Sequence, residues 1–354
     1  MHILPLINKL LPGCLISLGF FILDVIWVRA LPALDLSFGP SVPVLFMFTF
    51  IRSGLFLVWL VALIIIHFIP SMTVPHIFSW VLIAPNLIIL IIAIYGFWYE
   101  PFHLSVSRFS MPVPGLARPV RIVQLSDIHV ERTTSREREL PHLVESLKPD
   151  MIVMTGDYVN ESYTGNSQTI NDLRDLLSRL HAPLGVYAVN GNVESPWDLE
   201  EWFKGLDIHI LEDQVLKIPE LGEHFRLVGL SFFDWRDNDQ ALINLMNQVQ
   251  PNDFSLLLYH KPDLAYTARD LRINLYLAGH THGGQVRLPF YGALWANSKY
   301  GKQFEMGLYH LGTTTLFVSR GLGFTGGPAP RIRFLCPPEV VVIDLIPEVG
   351  NQSR

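Results

Sequence analysis

The sequence predicts an α/β domain preceded by an N-terminal bundle of about three transmembrane helices. Two observations carry this reading. Charge is almost absent from the first hundred positions, and beyond them short β-branched runs alternate with amphipathic stretches. Of 354 residues, 26 are Lys or Arg and 32 are Asp or Glu, giving a formal charge of −6, and only 16% are charged. Residues 1–100 hold just Lys9, Arg29 and Arg52 as bases, with Asp24, Asp35 and Glu100 as acids. The hydrophobicity excludes a disordered chain, and the acidic balance argues against a nucleic-acid partner. Cys14 and Cys336 form no disulfide framework.

A spanning helix needs about 20 mostly apolar residues. The runs 10–28, 52–68 and 80–98 meet this requirement, the second with an apolar lead-in from Val44. Pro32, Gly39, Pro40 and Pro43 punctuate the first gap, and Pro70, Ser71 and Pro75 the second. Trp80, Tyr95, Trp98 and Tyr99 flank the third run as interfacial anchors do. Asp24 and Arg52 lie in or beside these runs, where a helix-to-helix pair is the expected explanation. Residues 1–100 are thus expected to form the anchor and 101–354 the soluble domain. Arg29, Arg52, Arg108, Arg118 and Arg121 outnumber Lys9 and the terminal amine across the predicted spans. By the positive-inside bias the soluble domain is expected on the cytoplasmic side.

The soluble part opens with an alternating stretch, Pro101–Pro114, that suits an edge strand. Five short apolar runs then each end in a metal-ligating side chain. Val120–Ser126 leads into Asp127-Ile128-His129, Met151–Thr155 into Gly156-Asp157, and Val186–Asn190 into Gly191-Asn192. Phe254–Tyr259 leads into His260, and Leu275–Ala278 into Gly279-His280-Thr281-His282. Between them, Glu137–Leu147, Ile170–Leu180 and Asp239–Val249 carry apolar residues at helical spacing. In open α/β sheets, sites sit outside the carboxyl ends of the strands, where all five clusters fall.

The donor inventory is Asp127, His129, Asp157, Asn192, His260, His280 and His282, with no thiolate. Such a mixed oxygen and imidazole set suits Mn²⁺, Fe or Zn²⁺. Seven ligands exceed one tetrahedral ion and suffice for two if a carboxylate bridges. Two metals about 3.5–4 Å apart are a standard device for phosphoester hydrolysis. Asp127 and His129, two apart, are expected to point the same way from an extended stretch.

Asp127-Ile128-His129, Gly156-Asp157, Gly191-Asn192-Val193-Glu194, His260 and Gly279-His280-Thr281-His282 together resemble the calcineurin-like metallophosphoesterases, over about residues 101–346. Ser319–Gly323, Pro330–Arg333 and Pro338-Glu339 are similar to the C-terminal signature of that superfamily's bacterial membrane-associated branch, the YkuE- and YaeI-type phosphoesterases. The resemblance implies a four-layer α/β/β/α sandwich. It implies that Asp127, His129 and His282 hold one divalent ion, that Asn192, His260 and His280 hold the other, and that Asp157 bridges them. Asp127, Asp157 and Asn192 would be the catalytic ligands, and a hydroxide between the ions would attack phosphorus in line. A bacterial inner-membrane location follows from the same branch.

One position departs from the pattern: Val193 stands where the family has a His that approaches the phosphate and can protonate the leaving oxygen. Losing a general acid costs about 10²–10⁴-fold in rate. Arg132, Arg136 and Arg138 are candidate substitutes, and a nucleotide phosphate leaving group would need no acid. Glu194 remains without the His it would orient. Gly283-Gly284-Gln285 could offer amides to a phosphate. The aromatic and acidic loop Ser231–Asp239 could line a cleft, and the glycine-rich loop Gly321–Gly327 could touch lipid or substrate. The expected function is a membrane-anchored two-metal hydrolase of a phosphodiester or pyrophosphate, with a lipid-linked substrate in or near the bilayer. The alternative is a metal-binding membrane regulatory protein whose catalysis is impaired by Val193.

Overall fold

The computed structural model describes residues 3–69 and 76–348, which fall into two compact units. The first comprises Met1–Tyr99 with Pro328–Arg331, and the second Glu100–Gly327 with Ile332–Arg354.

In the first unit, α1 (Ile3–Ala30) and α2 (Ser41–Phe68) are followed by α3 (Ile83–Ile94), which continues through a π turn at Tyr95–Tyr99. Among the described residues, three helical stretches are long and apolar enough to cross a membrane: Asn8–Ala30, Ser41–Phe68 and Phe78–Phe102. The second starts eleven residues earlier than the sequence suggested. Pro40 caps the helix and Pro43 lies in its first turn, where no intrahelical N–H is needed, so neither breaks it. Arg52 is therefore inside the helix and buried. Its guanidinium meets Asp24 of α1 (Nε to Oδ2, 2.5 Å; Nη2 to Oδ1, 2.9 Å) and Asn86 of α3 (Nη1 to Oδ1, 2.6 Å). The Trp27 indole also donates to Asp24, at 3.1 Å. The pairing expected from sequence is present and joins all three helices.

The second unit contains two six-stranded sheets. One has the order β1 (Ser105–Val113), β14 (Glu339–Pro347), β2 (Val120–Leu125), β3 (Met151–Thr155), β4 (Val186–Val189), β5 (His209–Ile210). The other runs β12 (Gly307–Leu311), β13 (Thr314–Val318), β9 (Leu275–Ala278), β8 (Phe254–Leu258), β7 (Phe225–Gly229), β6 (Gln214–Lys217). A small hairpin pairs β10 (Arg287–Leu288) with β11 (Gly292–Ala293). β1 is an edge strand, as its alternation predicted, and pairs in parallel with β14.

Side-chain alternation along the strands builds the layers. From the first sheet, Ile122, Met151, Val153 and Val189 face Leu227, Leu256, Leu275 and Leu277 of the second in one central core. Their neighbours Val123, Leu125, Ile152, Met154 and Ala188 point the other way. They pack on α4 (Ser135–Leu147), α5 (Ser167–Leu177) and α6 (Pro196–Trp202) through Leu140, Val144, Leu173, Leu176 and Leu199. Val228, Leu257, Tyr276 and Ala278 back onto α7 (Asn238–Met246) and α8 (Ala265–Asp270). The result is the α/β/β/α sandwich that the family resemblance implied.

Local chemistry sets where the helices begin. Thr134 and Glu137 form a capping box on α4, and Ser195 and Asp198 one on α6. Asn166 and Asp237 cap α5 and α7. Because β2, β3 and β4 are parallel to one another, as are β7, β8, β9 and β13, successive crossovers deliver their strand-end loops to shared edges.

Candidate metal centre

Each of the five predicted runs is a buried strand whose ligand-bearing residue follows at its carboxyl end. The backbone there is not extended. Asp127, His129, Asp157, His280 and His282 all have positive φ, between 44° and 69°. Asp127 and His129 therefore converge through left-handed turns, not through strand alternation, which corrects the sequence expectation. Non-glycine residues in this region carry strain that surrounding contacts must hold, and such outliers gather at functional sites.

Close backbone approach supplies those contacts. A Cβ on Gly191 would lie 2.5 Å from the Asp157 nitrogen, and one on Gly321 2.6 Å from the Asp127 Cβ. Gly323 donates its N–H to the Asp127 carbonyl (2.6 Å), and the His280 N–H donates to Asp127 Oδ1 (2.9 Å). The Ser126 hydroxyl bonds Asp127 Oδ2 at 2.5 Å. Glycines 321 and 323 thus brace the first motif. The Arg333 guanidinium, fully buried, fixes that glycine loop by donating to the carbonyls of Arg320, Gly321, Gly323 and Cys336. Burial lowers its pKa to about 10, so it stays a cation at neutral pH.

The side chains form two buried groups, Asp127 with His129 and His282, and Asp157 with His260 and His280. In the first, His129 Nε2 and His282 Nε2 are 3.1 Å apart, and His282 Nε2 is 3.5 Å from Asp127 Oδ1. In the second, His260 Nε2 is 3.1 Å from both His280 Nδ1 and Asn192 Oδ1. Asp157 Oδ2 lies 3.3 Å from His129 Nε2 and 3.3 Å from His260 Nε2, so one carboxylate oxygen faces both groups. The other, Oδ1, accepts the N–H groups of Asn192 (2.9 Å) and Val193 (3.1 Å).

This donor set fits cations. His260 Nδ1 donates to the Thr155 carbonyl at 2.7 Å, which fixes the ring and turns Nε2 into the site; burial opposes its charge, yet the Asp157 carboxylate raises its pKa to about 9. Burial, aided by the charge of His129, holds His282 well below the usual imidazole pKa; burial and His260 do the same for His280. Both are therefore neutral near pH 7, the form in which an imidazole can hold a cation. Burial works against the Asp157 charge, yet His260 and His129 outweigh it and hold the carboxyl well below its usual range. Convergent imidazole lone pairs 3.1 Å apart repel unless a proton or a metal ion lies between them.

Sequence reasoning left Glu194 without a role. It orients no His; it accepts backbone N–H bonds from Asp157 (2.8 Å), Gly191 (2.6 Å) and Tyr158 (3.3 Å), tying two ligand loops together. Burial raises its pKa to about 7, with the Asp157 charge adding to the effect. The three arginines considered as substitutes for the missing His are engaged elsewhere: Arg132 with Asp172 (3.3 Å), Arg136 with Glu137 (2.9 Å) and the Phe324 ring, and Arg138 with the Thr133 carbonyl. The amides of Gly284 and Gln285 are spent on Thr281 and His282 carbonyls, and that of Gly283 on the Thr281 hydroxyl. Lys261 was missed. It directly follows His260, lies 4.0 Å from the Phe232 ring centroid, and its charge acts on His280. A cation adjoining a ligand was the available signal.

Residues 120–284 match the model of the calcineurin-like phosphoesterases. The uncharacterized metallophosphoesterase YkuE of Bacillus subtilis is 33% identical over 264 residues, covering 71% of this chain and 88% of YkuE. The phosphodiesterase YaeI of Escherichia coli is 31% identical over 263 residues, covering 70% and 89%. The UDP-2,3-diacylglucosamine pyrophosphatase LpxG of Chlamydia muridarum is 26% identical over 312 residues, covering 69% and 90%. With a strand-end centre of this composition and relatives matched along most of their length, the chain belongs to the calcineurin-like phosphoesterase family and is a metal-dependent phosphoesterase.

Proposed function

We propose that the protein is a membrane-anchored two-metal phosphoester hydrolase acting on a lipid-linked phosphodiester or pyrophosphate. The observation that carries this reading is the placement of Asp157 Oδ2 at 3.3 Å from one imidazole of each group. A bridging carboxylate brings two cations close enough to act on one phosphorus. Asp127, His129 and His282 would hold one ion, Asn192, His260 and His280 the other, and Asp157 both. When bound, Mn²⁺, Fe or Zn²⁺ ions supply an acidified water and neutralise charge on the phosphoryl oxygens.

The chain's own residues do the rest. Strained left-handed turns pre-position the ligands, so little reorganisation accompanies the reaction. Asn192 presents its amide oxygen beside His260, with its own N–H tied to Asp157. Lys261 follows His260 in the chain and pairs with Asp234 at 3.9 Å; its proposed role is to offset charge on a departing phosphate. A nucleoside monophosphate or other low-pKa leaving group needs no proton from position 193, which matches a pyrophosphate substrate. The apolar helices favour a substrate held in the bilayer, and the similarity to a UDP-diacylglucosamine pyrophosphatase and to a phosphodiesterase supports that class. The membrane is proposed to be a bacterial inner membrane, with the soluble unit on the cytoplasmic side.

The test is a substrate comparison with the full-length protein in lipid nanodiscs and Mn²⁺. The proposal expects higher kcat/KM on a UDP-linked diacylated sugar or a phospholipid than on bis-p-nitrophenyl phosphate. Equal or greater turnover of the water-soluble diester by wild type would refute the lipid-linked assignment. Val193→His tests the alternative of impaired catalysis. A large gain on all diesters, with no lipid-linked substrate turned over by wild type, would favour it.

A further inference from the structure

The β10–β11 hairpin joins directly onto the last ligand motif and carries an unusual tip. Tyr291 N–H donates to the Leu288 carbonyl (3.3 Å), so Leu288–Tyr291 is a turn with Pro289 at its second position. Phe290 occupies the third position with φ +64°, a conformation that turns normally give to Gly or Asn. Its side chain is fully exposed, so no packing within the second unit offsets the strain. Leu288, Tyr291, Leu294 and Trp295 are exposed beside it. Single exposed apolar residues need no explanation, but a contiguous set does.

The hairpin is built rigidly onto the metal end. Arg287 donates to the Gly283 carbonyl (2.8 Å) and to Glu305 Oε1 (2.7 Å), and Glu305 Oε2 accepts the Ala293 N–H (3.2 Å). Lys302 Nζ bonds the Tyr291 carbonyl (2.6 Å) and sits 3.6 Å from its ring centroid. The first turn of α6 exposes Trp197 and the loop after β7 exposes Trp235, both following carboxyl ends of strands. Trp235 belongs to the aromatic and acidic loop singled out in the sequence.

Strand direction places the start of the second unit at this same end. β1 runs parallel to β14, which is antiparallel to β2, so Ser105 starts at the carboxyl end of β2, beside the first ligand motif. Only His103 and Leu104 separate β1 from the apolar helical stretch that ends at Phe102. The first strand of the second unit therefore starts at its metal end, two residues after that apolar stretch in the chain.

We propose that the Phe290 hairpin, with Trp197 and Trp235, is an interfacial lipid-binding rim that seats the metal end on the bilayer. Trp, Tyr, Phe and Leu with a flanking Lys form the composition that partitions to the headgroup level. The proposal rests on the apolar helices spanning a membrane. It does not depend on which phosphoester is cleaved.

The test uses the full-length chain carrying Cys14→Ser, with an environment-sensitive fluorophore attached at Phe290→Cys, in nanodiscs of phosphatidylcholine and phosphatidylglycerol. Both sites tolerate labelling, because Phe290 and the control Ser178→Cys are exposed and Cys336 is buried. The expected result is blue-shifted emission at position 290 that nitroxide-labelled lipids quench, with water-like, unquenched emission at position 178. Equal, water-like emission at both positions would overturn the proposal. So would a blue shift at 290 that lipid nitroxides leave intact and that grows with the number of chains per disc, since that would assign the hairpin to a second copy. Neither readout requires turnover, so failure here is distinct from failure of the catalytic reading.

Discussion

Glu194 Oε1 accepts the backbone N–H of Asp157 at 2.8 Å, and the same oxygen accepts Gly191 N–H at 2.6 Å. One buried carboxylate thus holds the Asp157 backbone against the Asn192 loop. Glu194→Ala leaves three buried N–H groups without a partner, at a cost of about 1–3 kcal/mol for each one that stays unsatisfied. Metal affinity should fall about 10–100-fold, as for other supporting partners of ligands. Isothermal titration with Mn²⁺ and a thermal melt check this. Unchanged affinity would remove Glu194 from the supporting structure.

The glycine at position 191 makes a sharper test of how the two loops fit. An alanine Cβ there would collide with the Asp157 backbone nitrogen at 2.5 Å and with its carboxylate, so Gly191→Ala should displace Asp157 and abolish metal-dependent turnover. Overpacking of this kind costs about 1–3 kcal/mol. Gly165→Ala is the control, because nothing lies within 4 Å of its added methyl. Comparable losses in both variants would point to general glycine intolerance.

These two sites show which parts of the structure the sequence carries openly. Apolar runs ending in Asp, Asn or His reveal the strands, because burial on both faces demands continuous hydrophobic stretches. The left-handed turns at Asp127, His129 and Asp157 are invisible, since nothing in a residue's identity marks forced positive φ outside glycine and asparagine. The role of Glu194 is hidden for a similar reason, because its partners are backbone amides and not a side chain. β14 inserts between β1 and β2, a pairing that spans more than 200 residues and leaves no local trace. α2 starts at Ser41 because prolines in a first turn do not break a helix, although Pro40 and Pro43 look like punctuation.

In the first unit the Asp24–Arg52 pair makes its own prediction. Asp24→Ala leaves a buried guanidinium with half its partners, and breaking a buried pair costs about 3–5 kcal/mol. The Asp24→Leu, Arg52→Leu double variant should be more stable than Asp24→Ala alone, because it removes both charges. Thermal aggregation of the detergent-solubilised full chain reads the order. A double variant less stable than the single one would contradict it.

Metal removal should separate the two units. Ions bound at about 100 times their Kd stabilise the folded state by about 2.7 kcal/mol per site. Chelation should therefore lower the melting transition of the second unit and leave the helical unit's transition in place. The Asp157→Ala variant should lose most of the chelator's effect. Calorimetry with and without EDTA measures both.

The most direct test of the two-metal claim is the metal content and turnover of full-length protein beside its Asp157→Ala variant. The protein is purified in detergent, loaded with Mn²⁺, and analysed for bound metal before an assay on bis-p-nitrophenyl phosphate and a UDP-linked diacylated sugar. The account predicts two ions per wild-type chain, fewer in the variant, and turnover that Asp157→Ala abolishes. One ion or none in wild type, or turnover that survives Asp157→Ala, would contradict it.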